Sequence, residues 1–393
     1  MQLGGAFMPY PERPVTNASD GDLLGLTFAV KDLFDISGYP TSAGQPTVLA
    51  MSGVKTKTAP IVQLLLDSGA KLVGKTVTDE LAFSLNGQNV HFGSPVNGAC
   101  RERICGGSSS GSASAVSLSL VDFALGTDTG GSIRAPSSHC GLIGIRPTHG
   151  VVSLEGVTDL APSLDTCGWF ARDFSVFNRI SQVVFRAQAV IKQKRAEPRV
   201  FLLDSVWRLL NSEAHEALNI PLGKFGNQIE MLRGFDITDR YALDDLYWSF
   251  RYIQGYEAWE AHGSFIEKYH PALGPGVKER FEWSRRVTKD QFEWATRFRG
   301  ELRHFLSDQL AGDGYLITPT MPDIAPLRSA KESDLDTYRN KAIQMLCIAG
   351  LAGLPQVSLP LANRLNSPLG ISLIGPKGKD VELVELCSRL MSA

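Results

Sequence analysis

The chain has 393 residues, with 39 lysines and arginines against 41 aspartates and glutamates, a formal charge of −2. Its 43% hydrophobic and 20% charged content excludes a disordered or fibrous chain, and near-neutrality leaves no electrostatic footprint for nucleic acid or an anionic membrane. No run approaches the roughly 20 apolar residues of a membrane helix, MQLGGAFMPYPERP lacks a secretory-signal pattern, and six cysteines are too sparse for a disulfide framework; a soluble, cytoplasmic, globular protein is expected.

In chain order, LTFAV (26–30) reads as a short buried strand stopping at Lys31. APIVQLLLDSGA (59–70) has helical spacing at Ile61, Leu64 and Leu65 with a glycine stop, and KLVG (71–74) follows as a strand. Residues 109–120 predict a small-residue helix that feeds a strand at 123–125. This alternation argues for an α/β fold: a mixed, largely parallel central sheet covered by helices on both faces.

The composition then shifts. Fifteen of the 34 aromatic residues lie in 241–305, and Val287, Trp294, Phe298, Leu302 and Phe305 keep the spacing of a long amphipathic helix. Strand-like runs return at 315–318, 356–359 and 370–374. The expected organisation is one domain over 1–393. Its core sheet comes from 22–200 and 312–393, and 205–310 forms a helical, aromatic-rich insertion that shapes a pocket.

Cys100 and Cys105 have no downstream ligand pair, none of the seven histidines sits in HExxH, and no phosphate-binding glycine motif is present. No metal or organic cofactor is expected. The informative segment is GGSSSGSA (106–113), followed by a second glycine-serine knot, GTDTGGSIR (126–134). A flexible linker fits poorly, because a helix-like apolar run follows directly. Adjacent glycines let the backbone aim successive N–H groups at one point, which suits an oxyanion beside an attacking serine. Ser132 therefore reads as a nucleophile, with the N–H groups of Thr129, Gly130, Gly131 and Ser132 lining an oxyanion hole.

A serine hydroxyl needs a base, and no histidine has an obvious motif around it. A lysine serves only when uncharged at working pH. Moving its pKa from about 10.4 to 7 takes about 4.6 kcal/mol, which burial supplies where no carboxylate re-stabilises the ammonium. Lys31, at the end of an apolar strand where a side chain can be buried at the sheet's rim, is a candidate, the alternative being a surface lysine at a strand end. Asp32 is adjacent, but strand neighbours point to opposite faces.

The stretches AVKD (29–32), GKTVTDELAFSLNGQN (74–89), GGSSSGSASA (106–115), GTDTGGSIRAPSSHCGLIGIRPTHG (126–150), LITPTMP (316–322) and AGLPQVSLPL (352–361) together resemble the amidase signature family. The resemblance implies the fold of that family and a Ser–cis-Ser–Lys triad that hydrolyses carboxamides. It places the nucleophile on Ser132, the bridging serine on Ser108 and the lysine on Lys31. Asp128 and Arg134 are then supports of the glycine loop, and Ser109 a support of the proton path. Cys105 stands where the family often has proline, and Ser110 where it often has glycine. The stretch around 74–170, with VDFALGTDTGGSIRAPSSHCG and LDTCGWFARD (164–173), looks like plant-type indole-3-acetamide amidases and their bacterial relatives, which implies a small aryl- or alkyl-acetamide as substrate and loss of ammonia.

The expected partner is that small-molecule amide, with no nucleic acid and no membrane; the oligomeric state is left open, a homodimer included. Three other readings stand beside this one. Gly107–Gly111 also matches GxSxG, which would make Ser109 the nucleophile of an α/β-hydrolase, but Arg101-Glu102-Arg103 precedes it instead of an apolar strand. A non-catalytic amidase-like scaffold and an amidotransferase subunit are the others.

Overall fold

The computed structural model describes residues 4–189, 197–226, 229 and 231–391. Ten strands are β1 (Thr27–Lys31), β2 (Lys71–Thr76), β3 (Phe123–Thr127), β4 (Ile143–Arg146), β5 (Cys167–Ala171), β6 (Arg199–Leu203), β7 (Met231–Phe235), β8 (Gly314–Pro319), β9 (Gln356–Arg364) and β10 (Ser367–Ile374). They form a single sheet in the order β2-β1-β3-β5-β4-β9-β10-β8-β6-β7.

The expected parallel pairing occurs in the two wings, where β1 pairs with β2 and β3, and β6 pairs with β7 and β8. The centre, from β3 through β5, β4, β9 and β10 to β8, is antiparallel throughout. Every residue of β3, β4, β5, β8 and β10 is buried, so these strands are covered on both sides.

Strand parity sorts the layers. Phe28, Val30, Phe123, Leu125 and Trp169 pack with Ile61, Leu65, Phe177 and Ile180, from the Pro60–Asp67 and Phe174–Val184 helices. The alternate residues Ala29, Ala124 and Phe170 face the other way. They pack with Ala113, Val116, Ile133 and Cys140, on or beside the Ser110–Ser117 and Arg134–Cys140 helices. Lys31 shares the parity of Ala29, so it points toward this second layer, whose two helices each begin in one of the glycine-serine knots.

Two expectations change in the 205–310 segment. It is not wholly helical, because β7 lies within it and extends the sheet edge beyond β6. Val287 falls before the long amphipathic helix, which starts at Lys289 and runs to Leu310; Thr288 caps it and Gln291 closes a capping box. The other long helices, Leu243–Tyr269 and Glu332–Ala352, pack with it around a second core that includes Phe250, Ile253, Leu302, Leu306, Ile343 and Cys347.

Trp169 is fully buried, against Phe177 and Phe185. Trp169→Ala should cost about 3–5 kcal/mol through the cavity it leaves. It should lower the urea midpoint accordingly; an unchanged midpoint would contradict this packing.

Candidate active site

Lys31 ends β1 inside the protein, with no exposed surface. Its Nζ lies 2.8 Å from Ser108 Oγ and 2.8 Å from Thr127 Oγ1, at the end of the neighbouring strand β3. A neutral amine has two N–H donors and one lone pair, so it can donate to Thr127 while accepting from Ser108. Burial pushes the Lys31 amine down to about 7, against the attraction of Asp79, Asp165 and Asp128. Among the described residues no carboxylate lies within ion-pair distance of it. Asp32 is engaged elsewhere, 2.7 Å from Lys75 Nζ and bonded by Ser42 and Tyr10. The adjacent acid therefore leaves Lys31 unclasped.

Ser108 follows a cis peptide from Gly107. Its carbonyl accepts from Asp79 N at 3.0 Å and Thr78 Oγ1 at 3.0 Å. Gly107 presses against the Asp79 carboxylate, and a Cβ there would sit 2.2 Å from Oδ2, so no larger residue fits without displacing that acid. Asp79 is itself buried and accepts from Gly87 N (2.9 Å) and Ser110 Oγ (3.1 Å). Burial raises its carboxyl, against these bonds and the nearby Lys31. Ser110, where the family often has glycine, thus gains a defined partner.

Ser109 is fully buried. Its Oγ donates to Thr127 O (3.1 Å) and accepts from Thr127 N (3.3 Å). It braces the strand end that carries Thr127 and is closed to any substrate, which removes the reading of Ser109 as a nucleophile.

The glycine loop is organised by Asp128. Its carboxylate accepts from the N–H groups of Gly131, Ile133 and Arg134. It also pairs with Arg134 at 2.8 Å and Arg146 at 2.9 Å. Burial alone would raise this carboxyl, but the two guanidinium groups overcome it and hold it well below the usual range. Arg134 continues to Leu346 O and Gln356 Oε1, and Arg146 to Thr129 O and Leu164 O. The loop is thereby tied to the Glu332–Ala352 helix and to β9.

Of the four N–H groups expected to line an oxyanion hole, one has another partner. The Gly131 N–H is committed to Asp128 Oδ1 at 3.0 Å. Those of Thr129, Gly130 and Ser132 have no acceptor among the described residues, leaving three donors. Gly131 has φ +122°, and a Cβ on it would meet Leu346 Cδ1 at 2.4 Å, so glycine is required for both conformation and space.

Ser132 and Gly130 open onto a narrow recess lined by Ala82 to Leu85, Phe250, Gln254, Arg339 and Ile343. The structure thus brings Lys31, Thr127 and Ser108 into one bonded set and puts Ser132 on the cleft. Among the described residues no hydrogen bond joins Ser132 Oγ to Ser108 Oγ. Catalytic contacts of this kind tighten in the Michaelis complex, and a proton relay requires this one to form.

Thr127, Asp79, Thr78 and Arg146 escaped the sequence reading. They lie inside the matched stretches, but nothing in their spacing reveals that residues 96 apart, such as Lys31 and Thr127, meet. Of the histidines, His139 is a core residue bonded to Tyr338 (2.9 Å) and driven by burial down to about 3. Among the described residues no cluster of His, Cys, Asp and Glu is arranged to hold a metal.

A family profile described as Amidase matches residues 10–219. The chain belongs to the amidase family. It is 38% identical to "Amidase 1" of Arabidopsis thaliana, over 95% of this chain and 94% of that protein. It is also 34% identical to "Outer envelope protein 64, chloroplastic" of the same plant, over 95% of this chain and 67% of that one. A solved structure described as "Crystal structure of amidase" superposes with a TM-score of 0.83 at 30% identity, covering 95% of this chain and 85% of that one. The fold is that of amidase signature enzymes, and the resemblance drawn from the six motifs holds.

Asp128→Ala would strand Arg134 and Arg146 as unpaired buried charges, at a cost of about 3–5 kcal/mol. The variant should unfold at clearly lower urea concentration or fail to accumulate as soluble protein; wild-type stability would contradict the role given to this carboxylate.

Proposed function

We propose that the protein hydrolyses a small carboxamide, an aryl- or alkyl-acetamide such as indole-3-acetamide, to the carboxylic acid and ammonia through an acyl-enzyme on Ser132. The observation that carries this reading is the 2.8 Å contact between Ser108 and a buried Lys31 amine with no carboxylate on it. Lys31 takes a proton from Ser108 as Ser108 takes one from Ser132, and Ser132 Oγ attacks the amide carbonyl. The developing oxyanion meets the N–H groups of Thr129, Gly130 and Ser132, donors fixed before the reaction begins. The relay then reverses: the proton passes to the amide nitrogen, the C–N bond breaks and ammonia leaves. Water adds to the ester by the same path, giving the acid and restoring Ser132.

Membership of the amidase family supports amide hydrolysis. The apolar walls Phe83, Leu85, Phe250 and Ile343 suit a small hydrocarbon acyl group. Presence of Lys31, Ser108 and Ser132 together favours an enzyme over a docking scaffold. Action without a partner chain and in the cytoplasm belongs to this proposal; among the described residues no helix is long and apolar enough to cross a membrane.

Ser132→Ala should fold normally and lose amide hydrolysis by about 10³-fold or more. A fluorophosphonate should label Ser132 alone on peptide mass mapping, and near-normal activity of the variant or labelling elsewhere would reject the assignment. Because the base must be uncharged, kcat/KM should rise about tenfold per pH unit up to the amine's value of about 7 and level off above it. A profile that climbs only above pH 9 would contradict a neutral lysine at working pH.

A further inference from the structure

Three arginines from three helices lie around the recess that holds Ser132: Arg339, from Glu332–Ala352, lines it; Arg280, from Val277–Ser284, bonds its wall residue Phe83; and Arg251, from Leu243–Tyr269, follows its wall residue Phe250 in the chain. All are at least nine-tenths buried, at 6%, 9% and 9% exposure. Their surroundings differ from those of the buried arginines of the glycine loop. Arg134 and Arg146 share the Asp128 carboxylate, whereas among the described residues no acid lies within ion-pair distance of Arg251, Arg280 or Arg339.

The partners they do have are neutral. Arg280 Nε donates to Phe83 O at 2.6 Å. Arg251 donates to Tyr247 OH at 2.9 Å and lies over the Trp283 ring, 4.6 Å from its centroid. Arg339 has no hydrogen-bond partner among the described residues, and the Nε atoms of both Arg339 and Arg251 are buried and unpaired. Burial, then the charges of Arg280 and Arg251, push the Arg339 guanidinium well below its ordinary value, with Tyr247 and Asp336 opposing. Asp336 is exposed to solvent. Arg280 is likewise lowered by burial to about 10, opposed by Asp336, Asp79 and Glu279. Three buried like charges without a counterion are unfavourable unless something anionic joins them. Arg339 lines the recess together with Gln254 and Ser132, so an anion reaches it from the substrate side.

We propose that Arg339, backed by Arg251 and Arg280, is an anion subsite at the acyl end of the cleft, and that the preferred substrate is a primary amide whose acyl group ends in a carboxylate. This rests on the amidase reading of the same cleft and deepens it. The amide carbonyl lies at Ser132, the hydrocarbon spacer runs past Phe83, Phe250 and Ile343, and the far carboxylate takes the planar fork of Arg339, a geometry guanidinium groups match in pairs of bonds.

Two matched pairs of amides test it: succinamate against butanamide, and 4-carboxyphenylacetamide against 4-methylphenylacetamide. The carboxylated member of each pair should show kcat/KM about 30-fold or more above its partner, and Arg339→Gln should collapse that ratio to within about threefold, mainly through KM, as expected for loss of a charge-assisted bidentate contact. Arg339→Lys should keep part of the preference. Should Arg339→Gln fail to fold by circular dichroism, Arg251→Gln carries the comparison, with a fall in the ratio of about fivefold or more. Calorimetric titration of the Ser132→Ala protein with glutarate and with butyrate reads the subsite without turnover, and only glutarate should bind. A ratio near one with no glutarate binding overturns the subsite while amide hydrolysis stands. A high ratio unchanged in both variants overturns its assignment to these arginines. Glutarate binding abolished by Arg339→Gln, with no amide hydrolysed at all, supports the subsite and rejects the amidase reading.

Discussion

Removal of water from one amine organises this protein. Lys31 ends a strand inside the sheet's second layer, and the cost of a charge there falls on the ammonium and not on the amine. Burial outweighs the attraction of Asp79, Asp165 and Asp128, and among the described residues no acid clasps the amine. Asp32, the nearest acid in sequence, is turned to the opposite face and held by Lys75. Asp79, the acid brought near by the fold, is itself buried and occupied by Gly87 and Ser110. Among the described residues the groups bonded to the amine are two hydroxyls, so the neutral amine keeps a lone pair that a proton can reach.

A second buried charge does the opposite work. Asp128 is kept ionised by Arg134 and Arg146, and its oxygens gather the N–H groups of the glycine loop. One of these, on Gly131, is thereby committed to the carboxylate, while among the described residues the N–H groups of Gly130 and Ser132 beside it have no acceptor. The loop's shape is thus a consequence of an ion-pair network in which one carboxylate holds two guanidinium groups, and Arg134 carries it on to Leu346 and Gln356. The contrast with Arg251, Arg280 and Arg339 is informative because both groups are buried in one protein: Arg134 and Arg146 share an acid, and among the described residues no acid pairs with the other three.

The strands Thr27–Lys31, Phe123–Thr127 and Gly314–Pro319 were legible because they are short apolar runs bounded by glycine or charge. The glycine-serine knots were legible because their composition admits few structures. Sheet direction was not: β4 and β5 are brief, and antiparallel pairing of β5 between β3 and β4 depends on tertiary contacts that no local pattern encodes. The bounds of the Leu243–Tyr269 helix, inside the segment expected to be helical, and the Glu332–Ala352 helix as a whole also escaped, since neither has a simple amphipathic stripe. Chemistry alone made Ser132 a candidate nucleophile and Lys31 one option for a base, and the family resemblance selected Lys31, whereas Thr127, which bonds the lysine, emerges only when β1 and β3 are laid side by side.

The most direct measurement is a titration of the Lys31 amine itself, by NMR of protein labelled at lysine Cε, with Lys31→Met used to assign the signal. The signal should shift with a midpoint near pH 7, well below that of the exposed lysines. A Lys31 signal that stays in its protonated position through pH 9 would show a charged amine and contradict the account.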